Sequence, residues 1–213
     1  MKIPFLDLFS DNGADPGREQ IDFLKVGEED QIFLDQFNAL RSKLEYKLDM
    51  LAWKVIGVTS SIACEGKTLT CAKLAVSLAR TKRKAILLVD ADIRKADLSK
   101  GFGTPVHPGL TEYLLGGAVF GNIVRKSALP GLDTVSSGSP VAAPADLLAG
   151  DGFRIFVEEA RKRYDLVLLD TPPDPSRGRY DGDAGTIGWP YIRVPRRVHP
   201  AHHVKTSDRG DRG

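Results

Sequence analysis

Gly66, Lys67 and Thr68 close the stretch Ser61-Ile62-Ala63-Cys64-Glu65-Gly66-Lys67-Thr68, which fits G-x-x-x-x-G-K-[ST] with a serine in place of the first glycine. The chemistry of that pattern is the holding of phosphate. Backbone N–H groups around Gly66 and at the start of a following helix face phosphate oxygens, Lys67 adds a point charge at the β/γ oxygens, and Thr68 offers its hydroxyl to Mg²⁺. A lysine after a glycine turn can also be a plain surface feature, so the flanks decide. Residues 55–59 are an apolar, β-branched run that predicts a buried strand, and from Thr68 the segment LTCAKLAVSLART spaces Leu and Ala as a helix does. Strand, loop and helix in that order are the context the pattern requires.

Two further apolar runs end in carboxylates. Residues 86–89 read ILLV and lead into Asp90 and Asp92, and residues 166–169 read LVLL and lead into Asp170. Such runs predict parallel strands buried on both faces. In open α/β sheets ligands bind at the carboxyl ends of the strands, so the three aspartates are expected at the phosphate site, Asp170 as the Walker B carboxylate holding Mg²⁺ through water.

Between these strands the pattern predicts short helices over 109–117 and 119–126, a strand over 132–135, a small-residue loop in SSGSPVAAP, and a helix over 151–163 with Phe153, Phe156 and Val157 on one face. Ahead of the first strand, Ile32, Phe33, Phe37, Leu40, Leu44 and Leu48 recur at helical steps from Asp30 onward. The alternation predicts an α/β fold: a Rossmann-like P-loop NTPase with a parallel sheet flanked by helices, incomplete at its C-terminus.

Composition bounds the rest. The 213 residues suit one domain, or one domain and a small extra piece. A net charge of +2 argues against a dedicated nucleic-acid binder. Cys64 and Cys71 form neither a metal pattern nor a disulfide framework, and a reduced, cytoplasmic setting is expected. No apolar run is long enough for a membrane span, and the N-terminus has no signal-peptide core. The expected division is a flexible lead-in over 1–30, with IPFLDLF as a docking patch, a nucleotide-binding core over 31–173, and a tail over 174–213.

The EGKT loop, LLVDADIRK, GLTEYLLGG, SSGSPVAAPADLL and YDLVLLDTPP follow one another in the order and spacing of bacterial tyrosine kinases of capsule and exopolysaccharide assembly, the CpsD/CapB type, which residues 31–173 resemble. The resemblance implies ATP held by Ser61, Ala63, Cys64, Glu65, Gly66, Lys67, Thr68 and Leu69, and Mg²⁺ held by Thr68, Asp90 and Asp170. It implies catalysis of phosphoryl transfer to tyrosine by Lys67, Asp90 and Asp92, with Asp92 activating the hydroxyl. It also implies a membrane-anchored polysaccharide co-polymerase as activating partner, recruitment to the inner membrane face, and a homo-oligomer. The chain departs from the family in three places. Ala63-Cys64 stands where the family has Pro-Gly, which puts a side chain at a loop position favouring φ > 0. Asp35, Asn38 and Arg41 match only part of the family's E-x-x-R-x-x-R element, and the five tyrosines form no cluster. The alternative is a positioning ATPase of the MinD/ParA kind, whose signature lysine directly follows the loop's first residue. Here that position is Ile62.

After Pro173 the composition changes: residues 174–213 hold six Gly, four Pro, seven Arg and three of the four His, and are expected to be disordered, with residues 166–169 left as an exposed apolar edge. Read one base along, a back-translation of the tail admits an apolar continuation like the family's. Trp189 followed by Pro190 forces a glycine codon in that frame. The tail is therefore expected to be the product of a displaced reading frame.

Overall fold

A hydrophobic run that must be buried on both faces needs helices above and below it, and the chain supplies them in sequence. In a computed structural model that describes residues 22–25, 30–173 and 191–194, the elements run α1 (Gln31–Leu51), β1 (Val55–Ser60), α2 (Lys67–Arg80), β2 (Ile86–Asp90), α3 (Asp97–Phe102), α4 (Leu110–Leu114), α5 (Phe120–Ile123), β3 (Val124–Lys126), β4 (Leu132–Val135), α6 (Pro144–Ala149), α7 (Asp151–Arg163), β5 (Leu166–Asp170) and β6 (Tyr191–Val194). The sheet order is β3-β4-β2-β5-β1-β6. All neighbours are parallel except β3 and β4.

One face of the sheet packs Ile56, Val58, Leu88 and Leu168 against α1 and α2 through Leu44, Leu48, Leu74 and Leu78. The other packs Val55, Leu87, Val89, Val167 and Leu169 against Phe120, Ile123, Phe153, Phe156 and Val157. Each such side chain contributes on the order of 1.5–3 kcal/mol, so two filled layers of this size dominate stability. On α7 the buried residues are Phe153, Phe156, Val157 and Ala160, the i, i+3, i+4, i+7 stripe of a helix covering a sheet. On α1 only Leu44 and Leu48 are buried, while Ile32 is 60% exposed, because α2 supports only the C-terminal half of the stripe.

Four expectations are corrected. Residues 119–126 are not one helix: α5 ends at Ile123 and β3 follows, lying antiparallel on β4 with Lys126 paired to Asp133 at 2.7 Å. Residues 166–169 are not an edge, because β5 sits between β2 and β1 and is fully covered. The tail is not without strands: Tyr191–Val194 pairs with Gly57 to Ser60 of β1, and its YIRV run is marked off by Pro190 and Pro195. Within the lead-in, Phe23 is buried at 4% exposure, its N–H bonding to Gly101 O at 2.9 Å and its ring edge-on to Phe102. A Cβ on Gly101 would fall 2.1 Å from that ring, so Phe23 needs a glycine there. The IPFLDLF patch and the remaining tail residues lie outside the described residues. Two helices carried too few apolar residues to be read from periodicity, α3 and the Pro-initiated α6.

Candidate active site

The parallel register delivers the acidic residues to one place. Asp90 is the register partner of Asp170, and Asp170 that of Val58, two residues before β1 ends at Ser60 and the phosphate loop begins. Gly66, at φ 80°, turns the chain into α2, whose first residue is Lys67. The Lys67 ammonium is buried at 6% exposure and lies 2.5 Å from Asp170 Oδ1, 3.4 Å from Asp92 Oδ2 and 3.5 Å from Thr68 Oγ1. Burial alone would lower the lysine's pKa, but the charges of Asp170 and Asp92 outweigh it and hold the group protonated above its ordinary range. Asp170 is pushed up by burial and pulled back by Lys67, with a net rise.

Asp90 does different work. Its Oδ1 accepts the N–H of Asp92 at 3.1 Å and its Oδ2 the N–H of Leu98 at 3.3 Å, so the buried carboxylate ties together both ends of the loop from β2 to α3. Burial first, then the neighbouring Asp170 charge, pushes its pKa well up. The loop thus held presents Asp92, 6% exposed, to Lys67. The structure therefore brings together Lys67, Thr68, Asp92 and Asp170, with Asp90 beside them.

In the phosphate loop, Cys64 stands at φ 63°, the left-handed backbone expected where the family carries glycine. Ala63 and Cys64 are exposed, Ser61 is half-buried, and Leu69 is buried at 4% in the layer beneath α2, so only its main chain faces the loop. Glu65 is buried: its Oε2 accepts the N–H groups of Ser61 at 2.9 Å and Ile62 at 3.2 Å, while Oε1 has no hydrogen-bond partner. It braces the loop from inside, a role no sequence pattern signals. Behind the loop, burial pushes the Cys71 thiol well above its ordinary pKa, which makes it an inert core group.

Sequence reasoning also passed over Glu112. Its carboxylate accepts the N–H of Gly109 at 2.6 Å, and the N–H and hydroxyl of Ser139 at 3.0 and 2.5 Å, fastening α4 to the SSGSP loop after β4. A glutamate three residues after a helix-starting glycine is the visible half of a capping box, and GLTE carries it.

The family model described as an AAA domain matches residues 53–180. The chain belongs to that family. It is 30% identical over 156 residues to the tyrosine-protein kinase ptk of Acinetobacter johnsonii, covering 73% of this chain and 21% of that one. It is 33% identical over 156 residues to the tyrosine-protein kinase YwqD of Bacillus subtilis, covering 73% of this chain and 65% of that protein. The chain thus spans about a fifth of the first relative and just under two thirds of the second. The kinase domain of the Escherichia coli tyrosine kinase ETK superposes with a TM-score of 0.68 at 28% identity, over 79% of this chain and 66% of that one. The core is of the bacterial tyrosine-kinase type. The septum site-determining protein MinD of Pyrococcus horikoshii, complexed with Mg-ADP, superposes with a TM-score of 0.50 at 23% identity, which shows a shared fold alone.

Proposed function

We propose that this chain is the nucleotide-binding core of an ATP-dependent protein-tyrosine autokinase of capsule or exopolysaccharide assembly. The observation that carries the reading is the buried Lys67 at the floor of a phosphate loop, held by Asp170 at the end of β5 and by Asp92 in the loop after the neighbouring β2. Loop amides and Lys67 position the β/γ-phosphates, and the rigid strands keep the reacting groups in line. Asp92 accepts the proton of the incoming tyrosine hydroxyl.

The donor set fits Mg²⁺ in part. Asp170 Oδ2 is a buried oxygen without a hydrogen-bond partner, and Thr68 lies beside that carboxylate. Among the described residues no group of three or more His, Cys, Asp and Glu could hold a metal by itself. Thr68 and Asp170 would therefore hold the ion while nucleotide oxygens and water complete its shell, as is usual for Mg²⁺. Bound there, the ion neutralises charge on the transferring phosphoryl group. Asp90, whose two oxygens already accept main-chain N–H groups, serves to hold Asp92 in place.

No helix among the described residues is long and apolar enough to cross a membrane. A membrane-anchored co-polymerase as activator, recruitment from the cytoplasm to the membrane face, and assembly into a homo-oligomer belong to the same proposal. Ile62, 49% exposed at the place of the MinD-type signature lysine, speaks for the kinase over the positioning ATPase.

The test is Lys67→Met. Titration calorimetry should show Mg-ATP binding lost altogether, and phosphotyrosine blotting should show no product, while circular dichroism reports an intact fold. Wild-type ATP affinity in that variant would refute the site.

A further inference from the structure

We propose that Lys95 is a second nucleotide-binding cation, meeting the terminal phosphates from the outer side of the phosphate loop. The inference rests on the reading that this loop binds Mg-ATP. Lys95 comes from the loop that Asp90 holds, not from the phosphate loop itself. Its Nζ lies 3.6 Å from Sγ of Cys64, the exposed residue in the left-handed turn of the phosphate loop. One ammonium is thereby delivered to the outer wall of the loop while Lys67 occupies its floor.

The position of Lys95 is built rather than accidental. The Asp90 carboxylate accepts N–H groups from Asp92 and Leu98, on either side of Lys95. Between those anchors, Lys95 N and Ala96 N both donate to Asp92 O, at 3.0 and 3.3 Å, and Ala96 takes the left-handed conformation at φ 50°. The main chain carrying the ammonium is thus fixed. Only its flexible four-carbon stem has to move.

The charge at the floor of the site favours a further cation beside Mg²⁺. At the floor of the site one buried ammonium, Lys67, faces Asp170 and Asp92 at salt-bridge distance, with the Asp90 carboxylate next to Asp170. Two carboxylates facing one ammonium, with the Asp90 carboxyl beside them, leave that wall short of positive charge toward a polyphosphate. Lys67 is already engaged with carboxylates, so part of its attraction for phosphate is cancelled. Lys95, exposed at the rim on a flexible stem, can swing onto a phosphate oxygen.

The experiment compares Lys95→Gln with Lys95→Arg by calorimetric titration of Mg-ATP and ADP, alongside the melting temperature without nucleotide. If Lys95 meets the terminal phosphates, Lys95→Gln weakens ATP about tenfold and ADP clearly less, and Lys95→Arg recovers most of the loss. ATP affinity should also depend less on salt in the glutamine variant, and the melting temperature should hold. Unchanged ATP affinity in Lys95→Gln overturns the proposal. So does an equal loss of ATP and ADP in both variants with a lowered melting temperature, since Lys95 would then merely pack the Cys64 turn. Failure here leaves the site standing as long as Lys67→Met abolishes binding; if that variant binds normally, the loop assignment itself falls.

Discussion

The phosphate loop after β1 and the SSGSP loop after β4 are built on one plan and finished differently. Each follows a strand of the same sheet, each contains a residue at positive φ, and each is gathered around one glutamate carboxylate. In the SSGSP loop the positive-φ residue is Gly138 at φ 86°, and Glu112 has both oxygens occupied by N–H and O–H donors. In the phosphate loop Gly66 shares positive φ with a non-glycine residue, Cys64, and Glu65 keeps one buried oxygen without a partner. A relaxed, saturated loop is a fixed scaffold. A loop that retains backbone strain and unused acceptor capacity is one that ligand binding can still rearrange, since such costs persist only where something else maintains them.

The largest expected effect comes from breaking the saturated loop. A Cβ at Gly138 would lie 2.1 Å from Thr111 Oγ1, 2.3 Å from Glu112 Oε2 and 3.0 Å from the Thr111 nitrogen, on top of an unfavourable φ. Gly138→Ala should cost about 2–4 kcal/mol in urea unfolding. A melt like the wild type's would show that the loop is softer than its geometry.

Next in size is Glu112→Gln, expected to cost about 1–3 kcal/mol at neutral pH by leaving N–H and O–H donors poorly matched. Burial by itself would raise the Glu112 pKa, but the Ser139 hydroxyl and the amides of Gly109 and Ser139 outweigh it and hold the carboxyl at about 2, against 4.5 ordinarily. A depressed folded-state pKa contributes stability that is whole above about pH 4.5 and lost as pH falls toward 2. Urea melts at pH 6 and pH 3 should therefore show the gap between wild type and variant narrowing, without closing, at the lower pH. A constant gap would assign the difference to packing rather than charge.

The smallest effect sharpens the other half of the comparison. Cys64→Gly removes a left-handed penalty of about 1–2 kcal/mol but restores chain entropy, so a net gain under about 1 kcal/mol is expected. A measurable loss of stability would mean that the Cys64 side chain, and its contact with Lys95, matters more than the strain.

Much of this was legible in the sequence, for identifiable reasons. The buried strands read as apolar runs, and α7 read from end to end, because burial on both faces of a sheet and on one face of a helix leaves periods of hydrophobicity. Lys67 could be named from the G-x-x-x-x-G-K-[ST] pattern, and Asp90, Asp92 and Asp170 because they follow such runs. What the residues do to one another was less visible. Nothing in the letters separates Asp90, engaged with two amides, from Asp92, two residues on and turned to the lysine. Residues 124–126 were read into a helix because three residues carry no period; cross-strand pairing with β4 decides them. The Tyr191–Val194 strand was missed because the surrounding glycine, proline and arginine content outweighed a four-residue β-forming run.

That last strand changes the mechanics of the phosphate loop. With β5 pairing residues 55–58 and β6 pairing residues 57–60, β1 is held on both margins at Gly57 and Val58 and on its β6 margin up to Ser60, where the loop begins. A ribbon clamped on both sides cannot tilt or slide to follow a ligand. Compliance is thereby concentrated in the short span 61–66, between the last rung of β1 and the first turn of α2. Whatever the loop does on meeting a nucleotide, it does by torsion within those residues, with the sheet as its fixed frame of reference.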